Sequence, residues 1–214
     1  MSLEITIQKH LRERQMLKHP FYQDWMAGRL SIEQLQYYAI QYRPFVDSFP
    51  CFVSAIHSLC GIPQARLLLL ENLMDEEGVR NSAPHPQLWR DFAKGLGVIN
   101  IDAEPLSEAA LELERIFFTL CRSSYEEGLC ALYAYESQIP EIAKAKIVGL
   151  AQHYGLSDSD SNQFFLVHQE ADLYHSRACE ELIRRIDVDK HDCAMLAAET
   201  ASKALWNFLT EVHQ

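Results

Sequence analysis

The chain has 214 residues, of which 48% are hydrophobic and 23% charged, and its formal net charge is −11. This balance is typical of a folded globular protein, and no Pro-, Gly- or Ser-rich linker interrupts it, so residues 1–214 are expected to form a single domain. The acidic charge, without a dense run of Lys or Arg, argues against nucleic acids and membranes as partners.

Neither the first residues of the chain nor its apolar segments suggest export or membrane insertion. The first residues, MSLEITIQKHLRERQ, carry charges throughout and lack the apolar core of a secretory signal. Apolar stretches such as residues 67–70 are far too short to cross a bilayer. Six cysteines form no CxxC pair and fall within apolar patterns, which favours free and mostly buried thiols. We therefore expect a cytoplasmic protein.

Apolar residues recur at spacings of three and four between widely spaced Gly and Pro, which predicts an all-α fold. One long helix should begin after Ser31, which can form a capping box with Gln34, and Pro44 and Pro50 should kink or break it. The same pattern predicts further helices over residues 63–77, 85–96, 107–136, 140–154, 162–185 and 190–213, with a polar loop at 78–85. We expect these seven or eight helices to pack as one compact bundle without strands.

His168, Asp172 and His175 are separated by steps of four and three residues, so they should share one face of a helix. Two imidazoles and a carboxylate on one face can bind a metal ion, although a solvated polar stripe is an equally good interpretation of this triple alone.

Two other segments carry residues of the same types. Glu136 follows an apolar stretch, where an unpaired carboxylate would need a cation or a hydrogen-bond partner. Glu76 and Glu77 end a helix and His85 follows across the loop, so a carboxylate and an imidazole could converge there. For Glu76, Glu77 and His85, an exposed helix end remains the simpler interpretation.

Six segments together resemble the CADD-like proteins (chlamydial protein associating with death domains), which are akin to TenA and PqqC. They are HPFYQDW at 19–25, FPCFVSAIHSLC at 49–60, NLMDEE at 72–77, HPQLW at 85–89, YAYESQIP at 133–140 and HQEADLYH at 168–175. The resemblance covers nearly the whole chain and implies a heme-oxygenase-like fold that holds two metal ions. The ligands it implies are Glu76, His85, Glu136, His168, Asp172 and His175, with Glu77 as an alternative to Glu76. Three imidazoles and three carboxylates suit iron or manganese better than zinc.

The resemblance also implies an O₂-dependent oxidase that needs an external reductant. In similar proteins one of the protein's own tyrosines is thought to be excised as the ring source of para-aminobenzoate, for folate synthesis. The matching positions are Tyr22 for the ring, Lys146 for the amino group and Tyr38 for a radical relay. Spacing alone leaves Tyr22, Tyr38, Tyr42, Tyr133 and Tyr135 as either pocket or core residues, and it favours an exposed Lys146.

Three other functions remain open from the sequence. A TenA-like thiaminase would use Cys130 as its nucleophile and Glu136 for proton transfer. A PqqC-like cofactorless oxidase would need a basic pocket, and the family name also allows a protein-interaction module. Proteins of this superfamily commonly form dimers, so a homodimer is expected. The apolar residues of the last helix, Leu196, Leu205, Trp206 and Phe208, could belong to an interface or to the core.

Overall fold

The computed structural model describes residues 2–79 and 83–214, except the side chains of residues 159, 160 and 170. These residues form α-helices and two short 3-10 helices, and no strand occurs among them, which confirms the predicted all-α fold. The α-helices are α1 (Leu3–Glu13), α2 (Pro20–Met26), α3 (Ile32–Leu59), α4 (Pro63–Glu76), α5 (His85–Gly95), α6 (Glu108–Ser123), α7 (Tyr125–Glu136), α8 (Ile139–His153), α9 (Ser159–Ile183) and α10 (His191–Val212). The predicted loop at 78–85 lies partly outside the described residues.

Several helix ends lie where the sequence predicts them. Ser31 forms the predicted capping box with Gln34 at the start of α3. Ser107 accepts a hydrogen bond from the backbone N–H of Ala110 at the start of α6. Asp158 accepts one from the backbone N–H of Ser161 at the start of α9.

Three differences bring the described helices to ten rather than the predicted seven or eight. The sequence analysis missed α1 and the short α2. The predicted helix over 107–136 divides at Ser124, whose backbone is extended and whose side chain caps α7 through the N–H of Glu127. The Ser-x-x-Glu pattern at 124–127 signals this start, but the apolar periodicity continues across it and hid it.

The predicted break in α3 is wrong, because this helix runs through Pro44 and Pro50 from Ile32 to Leu59. Each proline removes one helical hydrogen bond. Aromatic contacts stabilise the helix beside Pro44: the ring centroid of Phe45 lies 4.7 Å from that of Phe117 and 5.2 Å from that of Tyr135. Tertiary packing therefore outweighs the helix-breaking preference of proline here.

Helix α7 lies at the centre of the bundle, where residues 128–136 are all buried. It packs against α3, α6, α9 and α10. A helix that is buried on every side presents residues to several neighbours at once. This position brings Glu136, the last residue of α7, into the interior.

Helix α10 resolves an alternative that the sequence left open. Leu205 and Phe208 are 2% and 1% exposed, so they belong to the core, whereas Leu196 is 63% exposed. The ring centroid of the half-buried Trp206 lies 4.6 Å from that of His19. Most of the apolar face of α10 is therefore used within the chain.

No helix among the described residues combines the length and hydropathy that a bilayer crossing requires. All six cysteines are free, and Cys60, Cys121, Cys130 and Cys179 are buried, as predicted.

Helices α2 and α8 approach closely at Gly149. A Cβ atom there would lie 2.7 Å from Trp25 Cδ1 and 3.2 Å from the Trp25 carbonyl oxygen. The Trp25 indole N–H donates a hydrogen bond to the carbonyl of Lys146, one turn away on α8. Gly149 thus allows the contact that places Lys146 beside α2.

We expect Gly149→Ala to lower the free energy of unfolding by about 1–3 kcal/mol, because the added methyl group overlaps a fully buried Trp25. Chemical denaturation measures the change. Gly61→Ala is the matched control, since a Cβ at Gly61 has nothing within 4 Å and this substitution should leave stability unchanged or raise it. Equal stability of the two variants would contradict the close-contact argument.

Candidate metal centre

Four helices bring the six predicted metal ligands into one buried region. They lie at the end of α4, the start of α5, the end of α7 and the middle of α9. Their exposed fractions are all between 1% and 5%, for Glu76, His85, Glu136, His168, Asp172 and His175. Buried ionisable groups in this number require mutual compensation or a bound cation.

The tightest part of the cluster consists of Glu76, His85 and His168. One possible ligand atom from each lies within 4.8 Å of the other two. The Glu76 carboxylate is 2.9 Å from His85 Nδ1, yet that nitrogen makes no hydrogen bond of good geometry. This arrangement could hold one metal ion.

The surrounding imidazoles favour an ionised Glu76. Burial alone would raise the pKa of Glu76, but His85, His168 and His175 outweigh it and lower this pKa. These interactions also show that His175 lies close to the same carboxylate. Glu77, in contrast, is exposed and lines a surface groove with Arg122.

Glu136 and Asp172 complete the cluster, and their environment is unfavourable without a cation. Burial raises the pKa of Glu136 to about 8, and the Glu76 charge adds to the effect. Burial, followed by the charges of Glu136 and Glu76, raises the pKa of Asp172 well above its usual value. Asp172 Oδ2 is buried without a hydrogen-bond partner. A divalent cation would supply the missing charge and coordination, so the residues present fit a metal site.

Neighbouring groups orient two of the imidazoles. His168 Nδ1 lies 2.6 Å from the carbonyl oxygen of Phe164, one turn earlier on α9, and can donate to it. This contact fixes the tautomer and leaves Nε2 free for a metal ion. His175 Nε2 lies 3.2 Å from Asp75 Oδ2. The sequence analysis did not identify Asp75, although it directly precedes Glu76.

Two more residues that the sequence analysis missed hold the Glu136 carboxylate. Asn72 Nδ2 donates a hydrogen bond of 2.7 Å to Oε1, and the Cys179 thiol donates one of 3.7 Å to Oε2. Asn72 lies one turn before Glu76, and Cys179 lies four residues after His175. Because each lies one helical turn from a predicted ligand, both residues could have been identified from the sequence as neighbours of the cluster.

Lys146 occupies a second buried region, among aromatic rings. It is 4% exposed, so the prediction of an exposed lysine from spacing is wrong: α8 is packed against α2 on this side. Lys146 Nζ donates a hydrogen bond of 2.6 Å to the Tyr38 hydroxyl and lies 5.5 Å from the Tyr22 ring centroid. Burial lowers the pKa of Lys146 well below its usual value. Burial therefore favours the neutral amine over the ammonium form.

A cavity of about 20 Å³ adjoins Lys146 and is lined by Tyr22, Tyr42, Tyr135 and His168, among others. A neighbouring cavity of about 10 Å³ is lined by Glu76, Asp172, His168 and Tyr135. Since Tyr135 and His168 contact both cavities, the lysine region and the carboxylate cluster adjoin each other. Cavities of this size hold roughly one water molecule each.

The tyrosines separate into two groups. Tyr22, Tyr38, Tyr42 and Tyr135 surround the Lys146 region, as the pocket alternative requires; burial raises the pKa of each, and hydrogen bonding to Tyr38 partly offsets this for Tyr22. Tyr133 does not line either cavity. Its hydroxyl instead donates a hydrogen bond of 2.8 Å to Glu180 Oε1.

The environment of Cys130 does not suit a nucleophile. The residue is fully buried, and burial raises the pKa of its thiol. A reactive cysteine needs the opposite shift and access to a substrate. The cysteine that contacts Glu136 is Cys179 rather than Cys130.

Comparisons with known proteins agree with this architecture. A family model described as "Iron-containing redox enzyme" matches residues 36–207. The 4-aminobenzoate synthase of Chlamydia muridarum is 42% identical over 203 residues, covering 93% of this chain and 85% of that protein. The 4-aminobenzoate synthase of Nitrosomonas europaea is 40% identical over 222 residues, covering 95% and 88%.

A solved structure shares the fold. A CADD-like protein of unknown function from Nostoc punctiforme superposes with a TM-score of 0.78 and 22% identity, over 98% of this chain and 96% of that one. Together with the family match, this confirms the predicted heme-oxygenase-like bundle and the resemblance to CADD-like proteins. The chain belongs to this family of iron-containing redox enzymes.

Proposed function

We propose that this protein is an O₂-dependent dimetal oxidase that makes para-aminobenzoate (4-aminobenzoate) for folate synthesis from its own Tyr22. The observation that carries the proposal is the position of the Lys146 amine, which is buried beside Tyr38 and Tyr22 in a region adjoining the carboxylate–imidazole cluster. The two relatives named 4-aminobenzoate synthase support the same product.

We assign metal binding to Glu76, His85, Glu136, His168, Asp172 and His175. The exposure of Glu77 supports Glu76 as the ligand at the end of α4. Their oxygen and nitrogen atoms suit iron, and we include manganese as a possible occupant of one of the two positions. When bound, the metal pair would supply the oxidising power for the reaction with O₂, and an external reductant would complete the electron balance.

The size of the cavity favours a substrate that belongs to the protein. Pockets for external small molecules are typically of about 300–1,000 Å³. The space beside Lys146 is about 20 Å³, and Tyr22 forms part of its wall. An external aromatic substrate would not fit beside Lys146 without rearrangement, whereas Tyr22 is already there.

The surrounding residues prepare the reaction. Burial favours the neutral form of the Lys146 amine, which can act as a nucleophile, and the cavity beside it has room for about one water molecule. The Tyr38 hydroxyl accepts a hydrogen bond from Lys146 Nζ and interacts with the Tyr22 hydroxyl. Tyr38 is therefore placed to pass a hydrogen atom from Tyr22. Tyr135, which contacts both cavities, is the residue we assign between the cluster and the tyrosines.

The other functions have less support. The buried Cys130 thiol does not favour a thiaminase. Lys146 is the only lysine or arginine that lines the cavity of about 20 Å³ beside it. This cavity is therefore not the basic pocket that a PqqC-like oxidase would need. The free, mostly buried thiols suit a reducing compartment, so we also propose a cytoplasmic location.

Metal binding is tested first. We expect elemental analysis of protein from iron-rich medium to give about two metal ions per chain, as in two-metal enzymes. Glu136→Ala and His168→Ala should lose most of this metal, because each removes a buried ligand. Glu77→Ala is the matched control, since it changes an exposed carboxylate next to Glu76 and should keep the metal. Equal metal loss in all three variants would contradict the assigned ligands.

The source of the product is tested separately. We expect metal-loaded protein with O₂ and reductant to release para-aminobenzoate and to lose mass at Tyr22. Protein labelled with ring-¹³C tyrosine and ε-¹⁵N lysine should yield a doubly labelled product. Tyr22→Phe and Lys146→Met should abolish product, because the first removes the phenolic oxygen that the amino group replaces and the second removes the amine.

Tyr37→Phe and Lys144→Ala serve as controls for this experiment. Tyr37 and Lys144 are exposed residues on the same helices as Tyr38 and Lys146, so product formation should be unchanged. Unlabelled product, or an intact Tyr22 after turnover, would point to an external substrate instead.

We also propose a homodimer, by resemblance to the superfamily. Exposed apolar side chains such as Leu67 on α4 and Leu196 on α10, each 63% exposed, are available for a contact. Light scattering at micromolar concentration should give the mass of two chains, and a monomer mass would remove this proposal.

A further inference from the structure

A chain of contacts leads from the carboxylate cluster toward the protein surface, on a side that the proposed reaction does not use. It begins at Glu136, whose Oε2 accepts the hydrogen bond from the Cys179 thiol. Cys179 continues the α9 stripe of Asp172 and His175 by one further turn. The residue after it, Glu180, is half-buried.

Tyr133 joins this chain from the other helix. It lies three residues before Glu136 on α7, and its hydroxyl donates a hydrogen bond of 2.8 Å to Glu180 Oε1. Gln8 Nε2 donates to the same carboxylate oxygen, at 2.9 Å, and to the Tyr133 hydroxyl, at 3.0 Å. A phenol that is hydrogen-bonded to a carboxylate can lose its proton along that bond when it loses an electron.

The Tyr133 hydroxyl borders a surface groove. The groove has a volume of about 280 Å³ and is lined by Tyr133, Glu180, Gln8, Arg12 and Glu141, among others. A small molecule in this groove could approach the hydroxyl, although the residue as a whole is only 1% exposed. Burial keeps the phenol protonated and raises its pKa, and the hydrogen bond to Glu180 adds to this.

Tyr133 and Tyr135 point in different directions. They are two residues apart on α7, which corresponds to a rotation of about 200° around the helix. Tyr135 lines the cavities next to Lys146 and Asp172, whereas Tyr133 lines the groove. A reductant in the groove would therefore not meet Tyr22 or Lys146.

We propose that Tyr133 and Cys179, with Glu180 as the proton acceptor, form the route by which a small one-electron reductant delivers electrons to the metal centre. This inference rests on the proposed function, which requires a metal centre and an external reductant. With metal bound, Tyr133 would pass one electron toward the oxidised centre by way of Cys179 and Glu136, and its phenolic proton would move to Glu180 Oε1. The reductant in the groove then returns one electron to Tyr133, and Glu180 returns the proton. The net change is one electron transferred from reductant to centre, with Tyr133, Cys179 and Glu180 unchanged.

The test separates re-reduction of the centre from product formation. The full chain is loaded with ferrous ion without O₂, exposed to O₂, and then mixed with ascorbate while its absorbance is followed. We expect Tyr133→Phe and Glu180→Gln to slow the return to the reduced spectrum by about tenfold, with the iron content unchanged. The wild-type rate should fall in D₂O, because a proton moves with the electron, and Tyr133→Phe should lose this isotope effect.

Tyr125→Phe is the matched control. Tyr125 is also buried on α7 and also near Cys179, but it does not line the groove, and the hydrogen bond to Glu180 belongs to Tyr133. Its variant should reduce at the wild-type rate. An unchanged rate in Tyr133→Phe, or an equal loss in Tyr125→Phe, would overturn the route while leaving the proposed function intact. A wild-type protein that takes up no iron or does not react with O₂ would instead overturn the proposed function, and the route with it.

Discussion

The structure depends on the burial of ionisable groups inside an apolar helical bundle. Glu76, Glu136 and Asp172 are each at most 4% exposed, and burial strongly disfavours a charge on the last two. Water cannot solvate these groups, so the protein must either protonate them or neutralise them with a cation. The contacts of Asn72 and Cys179 hold Glu136 in one orientation. The central position of α7 and the packing of α4 against α9 bring these three carboxylates together.

The same burial has the opposite consequence for Lys146. Among the described residues no carboxylate pairs with this amine, and its polar partner is the Tyr38 hydroxyl. Its pKa therefore falls, which favours a neutral, nucleophilic amine over an ammonium group. Carboxylates that attract a cation and an amine that loses its proton can adjoin each other without competing. An ammonium group at this position would instead repel a bound metal ion.

The six residues of the cluster could be predicted from the sequence, but the hydrogen bonds that hold them in place could not. His168, Asp172 and His175 follow from helical periodicity, but only the resemblance connected them with Glu76, His85 and Glu136, because contacts between helices leave no periodic pattern. The roles of Asn72, Asp75 and Cys179 depend on such contacts and were missed. Local rules also failed where tertiary packing decides: α3 continues through two prolines, and Lys146 is buried although its spacing favours exposure. The division at Ser124 was missed because periodicity was weighed above capping chemistry.

Helix α7 shows how one buried helix can keep two redox partners apart. Tyr135 is directed toward the tyrosine region and Tyr133 toward the surface groove, while Glu136 follows at the end of the helix and belongs to the cluster. A centre that oxidises a nearby tyrosine must also be reduced, and a reductant with free access to the tyrosine region would quench the oxidised side chain before it reacted. Because the width of a helix separates the groove from the tyrosine region, a reductant in the groove does not reach the oxidised side chain. In the proposed route the electrons arrive through side chains, so the reductant does not need to enter the cavity of about 20 Å³ beside Lys146.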